Sequence, residues 1–248
     1  SPDGTKVAYS ASKDGENTSD AIWILHLNSC DQYDCLSTIL TGDDNPATAD
    51  RHLAWSPDGS MIAFESNRTG EWRIHTVDTT IGNASVTAIP YNLPSSESYG
   101  SPAWSPNGSE LAVDWSSYRI EQYTVYESRI DLISLDGSLN QTLASTYFET
   151  ETPNGGTYPE WSPDGSQIAY GKYTPFGVYT LFIHDISAGT DTTFASGSRP
   201  RWWGDPCPGG PQESTCQQQT IYYVSCQNDD LFLRPNGEEG VSFRSSTS

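Results

Sequence analysis

A short sequence motif built around Ser-Pro-Asp-Gly recurs along this chain and constrains its fold more than any other feature. Copies stand at residues 1–4, 55–59, 104–108 and 161–165, the last three preceded by Trp and the third with Asn in place of Asp. The prolines of these copies are 55, 49 and 57 residues apart, and a weaker copy places Trp202 41 residues after Trp161. A repeat of this length is typical of propellers and solenoids. The 248-residue chain is therefore predicted to be one repeat domain with a sizeable core.

Each copy is predicted to be a hairpin turn between two strands. Pro fixes φ at the first corner, Asp or Asn tolerates the second, and Gly adopts the left-handed conformation. Short apolar runs rich in β-branched and aromatic residues follow, for example 61–64 and 167–170, with a further run about ten to twenty residues later. Since no stretch keeps a helical period, we expect an all-β chain. The Trp before each turn is expected to fill the gap between two packed sheets.

The repeat resembles the TolB-type β-propeller repeat. The residues that carry this resemblance are Trp-Ser-Pro-Asp-Gly (55–59), Ile-Ala-Phe (62–64), Ser-Asn-Arg-Thr-Gly (66–70) and a strand ending in Val77-Asp78. It is strong at 55–78, 104–113 and 159–187 and thin after Pro206. The resemblance implies a single all-β domain, 1–248, of four-stranded blades. The expected blades are about 1–42, 43–92, 93–146, 147–196 and 197–248.

The first blade is expected to lack its inner strand, because the chain begins inside a repeat. The five blades then belong to a larger ring, or residues outside this sequence complete the ring. Proteins with such repeats include periplasmic TolB, gating domains of serine peptidases and oligogalacturonate lyases. The resemblance therefore implies no single activity.

The composition limits the partners and the compartment. With a net charge of −20, the surface is expected to repel nucleic acids and anionic membranes. The acidic residues are interpreted as a solvated exterior. No segment is apolar for long enough to predict a membrane span.

The five cysteines favour an oxidising, extracytoplasmic location, whether periplasmic, cell-surface or secreted. Cys30 and Cys35 are expected to form a local disulfide. Two of Cys207, Cys216 and Cys226 are also expected to pair, most simply Cys207 with Cys216. The remaining cysteine would pair with another chain or with a residue upstream.

Sequons for N-glycosylation fall in predicted turns or loops. The candidate sites are Asn17, Asn67, Asn83 and Asn140. A fifth sequon, at Asn107, lies within the recurrent turn motif, and the turn accounts for an Asn at this position without a glycan. Sequons also arise by chance in a chain rich in Asn, Ser and Thr, so glycan attachment and chance occurrence both stay open.

Searches for catalytic motifs find no nucleophile elbow, zinc-protease motif, phosphate-binding loop or calcium loop. We therefore predict no catalytic residue, no metal and no cofactor. Superposition of the repeats places His75 and His184 at one position of the third strand and His26 at the next. Histidines repeated in this way are interpreted as edge or surface residues rather than as a metal centre.

One segment departs from the repeat and is the candidate partner-binding region. Residues 115–126 lengthen the link between the second and third strands of the third blade, and an aromatic pair opens the loop that follows. The candidate contacts are Trp115, Tyr118, Arg119, Tyr123, Tyr126, Tyr147 and Phe148. Aromatic and Arg side chains are common at the centres of interfaces. The alternative is a long hairpin whose aromatics pack on their own blade.

Together these features predict a non-catalytic extracytoplasmic scaffold. It would bind a protein partner, or assemble with itself, through its loops and an exposed strand edge. Two alternatives stay open at this stage. One is a propeller associated with an enzyme, as a peptidase gate or a polysaccharide lyase, and the other is a carbohydrate-binding propeller.

Overall fold

Almost all of the described secondary structure is β. The computed structural model describes residues 1–12, 20–30, 35–42, 48–120, 124–149, 158–173, 179–196, 198–203, 220–227, 230–235 and 241–243. Within these ranges the helical structure is limited to two short 3-10 turns, Leu27–Ser29 and Gly82–Ser85. The prediction of an all-β chain is confirmed.

The strands form antiparallel sheets that follow the sequence in order. The first sheet, in the order β1-β2-β3, contains Lys6–Ser12, Asp20–His26 and Ser37–Ile39. The second sheet, in the order β4-β5-β6-β7, contains Asp50–Trp55, Met61–Ser66, Arg73–Asp78 and Thr87–Ala88. Strand β1 is the counterpart of β5, because each directly follows a Ser-Pro-Asp-Gly turn.

The remaining sheets each have four strands. The third sheet, in the order β11-β10-β9-β8, contains β8 (Glu97–Trp104), β9 (Glu110–Ile120), β10 (Thr124–Ser134) and β11 (Leu139–Glu149). The fourth sheet, in the order β12-β13-β14-β15, contains Glu160–Trp161, Gln167–Tyr173, Tyr179–Asp185 and Thr190–Ser196. The fifth sheet, in the order β16-β17-β18-β19, contains Ser198–Trp203, Thr220–Gln227, Asp230–Pro235 and Val241–Phe243.

Consecutive four-stranded antiparallel sheets are consistent with the predicted propeller-like fold. The number of blades and their boundaries stay predictions. The chain divides into two compact units, residues 1–111 with 133–138 and residues 112–132 with 139–248.

The recurrent turn is closed by its own serine and aspartate. The Ser56 hydroxyl donates to Asp58 Oδ1 (2.6 Å) and accepts from the backbone N–H of Met61 (2.9 Å). Asp58 Oδ1 also accepts from the N–H of Ser60 (3.0 Å), and the N–H of Gly59 donates to the carbonyl of Ser56 (2.9 Å). Gly59 has φ of 73°, the left-handed conformation that Gly adopts most easily. The predicted hairpin turn is confirmed.

The same bonds recur in the other copies. Ser1 with Asp3, Ser105 with Asn107 and Ser162 with Asp164 repeat the hydroxyl-to-side-chain hydrogen bond. The hydrogen bonds from Ser56 and Ser60 lower the pKa of Asp58 to about 2. Asn107 makes the corresponding contacts through its amide oxygen, so the turn needs an acceptor at this position rather than a charge.

In the first unit, the core lies between the first and second sheets. It contains Ile22, Ile24 and Leu40 from the first sheet segment and Ile62, Phe64 and Val77 from the second, all at most 6% exposed. Trp104, at the end of β8, donates its indole N–H to the carbonyl of Ala54 in β4 (3.2 Å). This Trp therefore bridges two sheets, as expected from its place before the turn.

Candidate functional site

The predicted partner-binding segment is a long hairpin. Strand β9 continues to Ile120 and β10 begins at Thr124, so residues 115–120 extend a strand instead of forming a loop. Tyr123 lies outside the described residues. Tyr126 belongs to β10, and Tyr147 and Phe148 belong to β11.

Trp115 packs within this hairpin. Its side chain is 5% exposed, and the Arg129 guanidinium lies 3.7 Å from the centre of its ring. Arg129 in turn donates to both carboxylate oxygens of the fully buried Asp131, which also accepts from the Thr142 hydroxyl (2.8 Å). Trp115 therefore belongs to a network in which a partly exposed Arg129 joins its ring to the buried Asp131 carboxylate.

The other candidate contacts have no described side-chain geometry. Tyr118 and Arg119 lie on the backbone of β9, and the side chains of Tyr118, Arg119, Tyr126, Tyr147 and Phe148 lie outside the described part of the structure. Their role in binding a partner stays a prediction.

The interpretation of the histidines is wrong in two respects. His75 and His184 are 1% and 2% exposed, and each lies on an interior strand of its sheet, so neither is an edge or surface residue. They also occupy different positions. His75 pairs with Phe64, whereas His184 pairs with Ile168, which corresponds to Ile62. His184 is thus the counterpart of Val77, two residues away from the position of His75.

One of the predicted disulfides is present in the structure, while the other cysteine prediction and the glycosylation sites stay predictions. A disulfide joins Cys30 to Cys35, as predicted. Cys207, Cys216 and Asn17 lie outside the described residues. Asn83 and Asn140 are exposed, whereas Asn67 is partly buried and accepts a hydrogen bond from the backbone N–H of Ala49 (2.8 Å). Glycosylation at these sites stays a prediction.

A cluster around Glu65 in the first unit combines the properties expected of a binding site. We define the Glu65 cluster as Arg51, His52, Glu65, Trp72 and Ser101. Glu65 lies on β5 and is 4% exposed. Its carboxylate accepts from Arg51 Nε (2.8 Å), His52 Nδ1 (2.7 Å) and the backbone N–H of Ser101 (2.6 Å). One buried carboxylate therefore fixes residues of β4 and β8.

The backbone of the cluster is strained at two places. His52 and Ser101 have φ of 49° and 46°, and Tyr158 has φ of 45°. Each of these residues stands three positions before the Trp of a repeat. At His52 the register between β4 and β5 shifts, which marks a β-bulge. Left-handed residues other than Gly cost free energy and persist where their surroundings hold them in place.

Glu65 supplies this support for His52 and Ser101. Burial raises the pKa of Glu65, but the hydrogen bonds from His52, Ser101 and Arg51 and the charge of His52 outweigh it, so the pKa lies below its ordinary value. The carboxylate is therefore ionised at neutral pH. The neighbouring Gly100 leaves room for it, since a Cβ there would lie 2.8 Å from Glu65 Oε1.

Arg51 is the exposed member of the cluster. Its side chain is 49% exposed, and its guanidinium lies 3.8 Å from the ring centre of Trp72, which is partly exposed. Nε is bound to Glu65, and among the described residues the two terminal nitrogens have no hydrogen-bond partner. The bond to Glu65 and the stacking on Trp72 therefore hold the half-exposed guanidinium in one orientation.

Sequence reasoning missed this cluster. Its residues come from three strands and one loop, and no single motif contains them. One signal was available: the residue three positions before each Trp is polar in the second, third and fourth repeats. That signal does not reveal the carboxylate on β5.

The described residues contain no group of three or more His, Cys, Asp or Glu side chains placed to hold a metal. Among the same residues, no helix is long and apolar enough to cross a membrane.

Comparison with known sequences gives partial matches, and no protein-family model matches the chain. Uncharacterized protein Atu1656 of Agrobacterium fabrum is 32% identical over 124 residues, which are 49% of this chain and 39% of that protein. Uncharacterized peptidase YuxL of Bacillus subtilis is 32% identical over 117 residues, which are 45% of this chain and 16% of that protein. The chain thus spans less than half the length of these curated relatives.

Comparison with solved structures shows the fold. TolB from Acinetobacter baumannii has a TM-score of 0.62 at 18% identity, over 97% of this chain and 54% of that one. A puromycin hydrolase has a TM-score of 0.53 at 17% identity, over 90% and 32% of the two chains. An oligogalacturonate lyase from Vibrio parahaemolyticus has a TM-score of 0.53 at 13% identity, over 100% and 77%. The chain has a TolB-like propeller fold. Since this fold also occurs in enzymes, it does not separate a scaffold from an enzyme-associated role.

Proposed function

We propose that this chain is a non-catalytic, extracytoplasmic scaffold that binds a protein partner at the Glu65 cluster. The observation that carries the proposal is the exposed Arg51 guanidinium stacked on Trp72 and held by the buried carboxylate of Glu65. Trp and Arg are the residues most often found at the energetic centres of interfaces. Because Glu65 holds Arg51 and is itself bound to residues of two strands, the Arg51 side chain has little conformational entropy left to lose when the partner binds.

The disulfide supports the location. Disulfides persist in oxidising compartments, and the Cys30–Cys35 bond fits an extracytoplasmic protein. Self-assembly through an exposed strand edge and contacts by the aromatic residues of β9–β11 stay part of the proposal. Trp115 contributes to it as a support of its hairpin, since its ring is covered by Arg129.

Affinity capture with matched variants tests this function. The immobilised chain is exposed to the extracytoplasmic fraction of its source, and captured proteins are purified and tested for direct binding. We expect binding to be lost with Trp72→Ala and kept with Ile81→Ala, which removes a 63% exposed apolar side chain elsewhere. Equal binding by both variants would contradict the proposal. Native mass spectrometry of the same samples separates self-assembly from binding to another protein.

A second candidate is a propeller attached to a peptidase. The partial identity to a protein named as a peptidase favours it, although the match covers 16% of that protein. The reading frame that encodes this chain distinguishes the two. An α/β-hydrolase segment in that frame, with peptide hydrolysis by the whole protein, would support the peptidase role.

A further inference from the structure

We infer that Arg51 is a recognition residue for a carboxylate, and that this carboxylate belongs to an acidic peptide segment of the partner. The inference rests on the proposed function and names the chemical class of its ligand. It starts from the half-exposed side chain of Arg51, whose Nε is bound to Glu65 while its two terminal nitrogens have no hydrogen-bond partner among the described residues.

The geometry favours a planar anion. A guanidinium presents its N–H groups as a rigid fork that matches the two oxygens of a carboxylate. In a free Arg side chain, several torsions must be fixed before such a pair forms. Here the 2.8 Å bond to Glu65 and the 3.8 Å stacking on Trp72 hold the plane before the ligand arrives. The fold has therefore already restricted the Arg51 side chain, so less conformational entropy is lost when the carboxylate binds.

The charges of the surroundings favour a singly charged group. The Glu65 carboxylate offsets the positive charge of Arg51, so the cluster has no large excess of positive charge. The whole chain carries a net charge of −20, which opposes a doubly charged phosphate more than a single carboxylate. This repulsion is screened beyond roughly 8 Å at physiological salt, whereas a direct pair with Arg51 is not.

The stacking on Trp72 favours a peptide over a uronate sugar. A sugar ring binds to an indole through its flat face, and here Arg51 already covers one face of Trp72. An Asp or Glu side chain needs only the exposed edge of the guanidinium. A flexible peptide can deliver it without displacing Arg51.

Titration with defined probes tests the inference. The probe is acetyl-Gly-Glu-Gly amide, which carries a single carboxylate, the matched control is acetyl-Gly-Gln-Gly amide, and trigalacturonate is the sugar arm. Binding is measured by calorimetry and by NMR shifts of the Arg51 Nε–H and Trp72 indole N–H signals. We expect the glutamate peptide to bind and to shift both signals, and the other two probes to leave them unchanged.

Variants separate specific binding from general charge. Arg51→Gln should weaken binding of the peptide about tenfold, and Arg51→Lys should also weaken it, because Lys keeps the charge but loses the fork. Arg73→Gln removes one positive charge nearby and should leave the affinity unchanged. Equal weakening by Arg51→Gln and Arg73→Gln, no binding of the peptide, or preferential binding of trigalacturonate would each overturn the inference. If a partner is captured in a Trp72-dependent way but the peptide does not bind, the proposed function stands and the inference that Arg51 recognises a carboxylate is overturned.

Discussion

Glu65 accepts a 2.6 Å hydrogen bond from the backbone N–H of Ser101, a residue of the next sheet along the chain. The same carboxylate also accepts from Arg51 and His52 of its own sheet. A single side chain thus joins a bulge in β4 to a strained residue in β8. The exposed groups of the Glu65 cluster depend on this connection for their positions.

Replacing Glu65 by Gln should destabilise the protein by about 2–3 kcal/mol. One amide oxygen cannot accept from Arg51, His52 and Ser101 together, and the new NH₂ group has to be buried. Urea unfolding at pH 7 measures the change. Glu71→Gln is the control, because the Glu71 side chain is 63% exposed and its pair with Arg73 is worth less than about 1 kcal/mol. Similar losses for both variants would contradict the role given to Glu65.

The Ser-Pro-Asp-Gly turn should tolerate an amide but not a methyl group. Asp58→Asn keeps the acceptor that Asn107 provides in the third repeat, whereas Asp58→Ala removes it. We expect the Ala variant to lower the melting temperature at pH 7 by roughly 2–4 °C and the Asn variant to lower it less. A larger loss with Asn than with Ala would show that charge, and not hydrogen bonding, closes the turn.

The acid dependence of this turn follows from the lowered pKa of Asp58. That pKa is about 2 in the folded chain against 3.8 ordinarily, so the ionised turn stabilises the fold above pH 4 and loses this effect as the pH falls towards 2. The difference in stability between the wild type and Asp58→Asn should therefore shrink as the pH falls from 5 to about 2. Unfolding curves measured across this range provide the test.

His75 should make the protein less stable in mild acid. Burial is the main cause that lowers its pKa below 6.5, so below this pH the unfolded chain binds the proton more readily than the folded one. Stability should fall as the pH drops from 7.5 to 5.5. His75→Phe, which copies Phe182 at the corresponding position, should reduce this fall. An equal fall in the wild type and in His75→Phe would contradict this role of His75.

Arg129 and Asp131 should contribute to the free energy of unfolding as a pair, so that removing one of them costs more than its share of the effect of removing both. Arg129→Met leaves the fully buried Asp131 carboxylate without its cation and should cost about 2–3 kcal/mol in unfolding free energy. Combining it with Asp131→Leu should recover part of this loss, since no buried charge then remains. A double variant less stable than the sum of the two single changes would contradict this reasoning.

The turns and sheets were predictable because their causes lie within a few residues of each other. Pro57, Asp58 and Gly59 determine a hairpin by their own backbone preferences, and the fold follows from repeating it. The histidine positions were not predictable in the same way. The register between β13 and β14 places His184 opposite Ile168, and such pairing depends on a loop whose length differs between repeats.

The Glu65 cluster was unpredictable for a related reason. Glu65 and Ser101 are 36 residues apart, and only the packing of consecutive sheets brings them together. The hairpin at Trp115 illustrates the opposite error, because its polar and aromatic residues suggested a loop while the strands continue through them. Cross-strand partners outweigh local composition there.

The left-handed residue before each Trp has a consequence for how such a chain diversifies. Histidine, serine and tyrosine occupy this place in three successive repeats, yet all three adopt nearly the same φ. Three unlike side chains are thus compatible with one backbone shape, so a substitution at this place changes the side chain and leaves the path of the strand as it is.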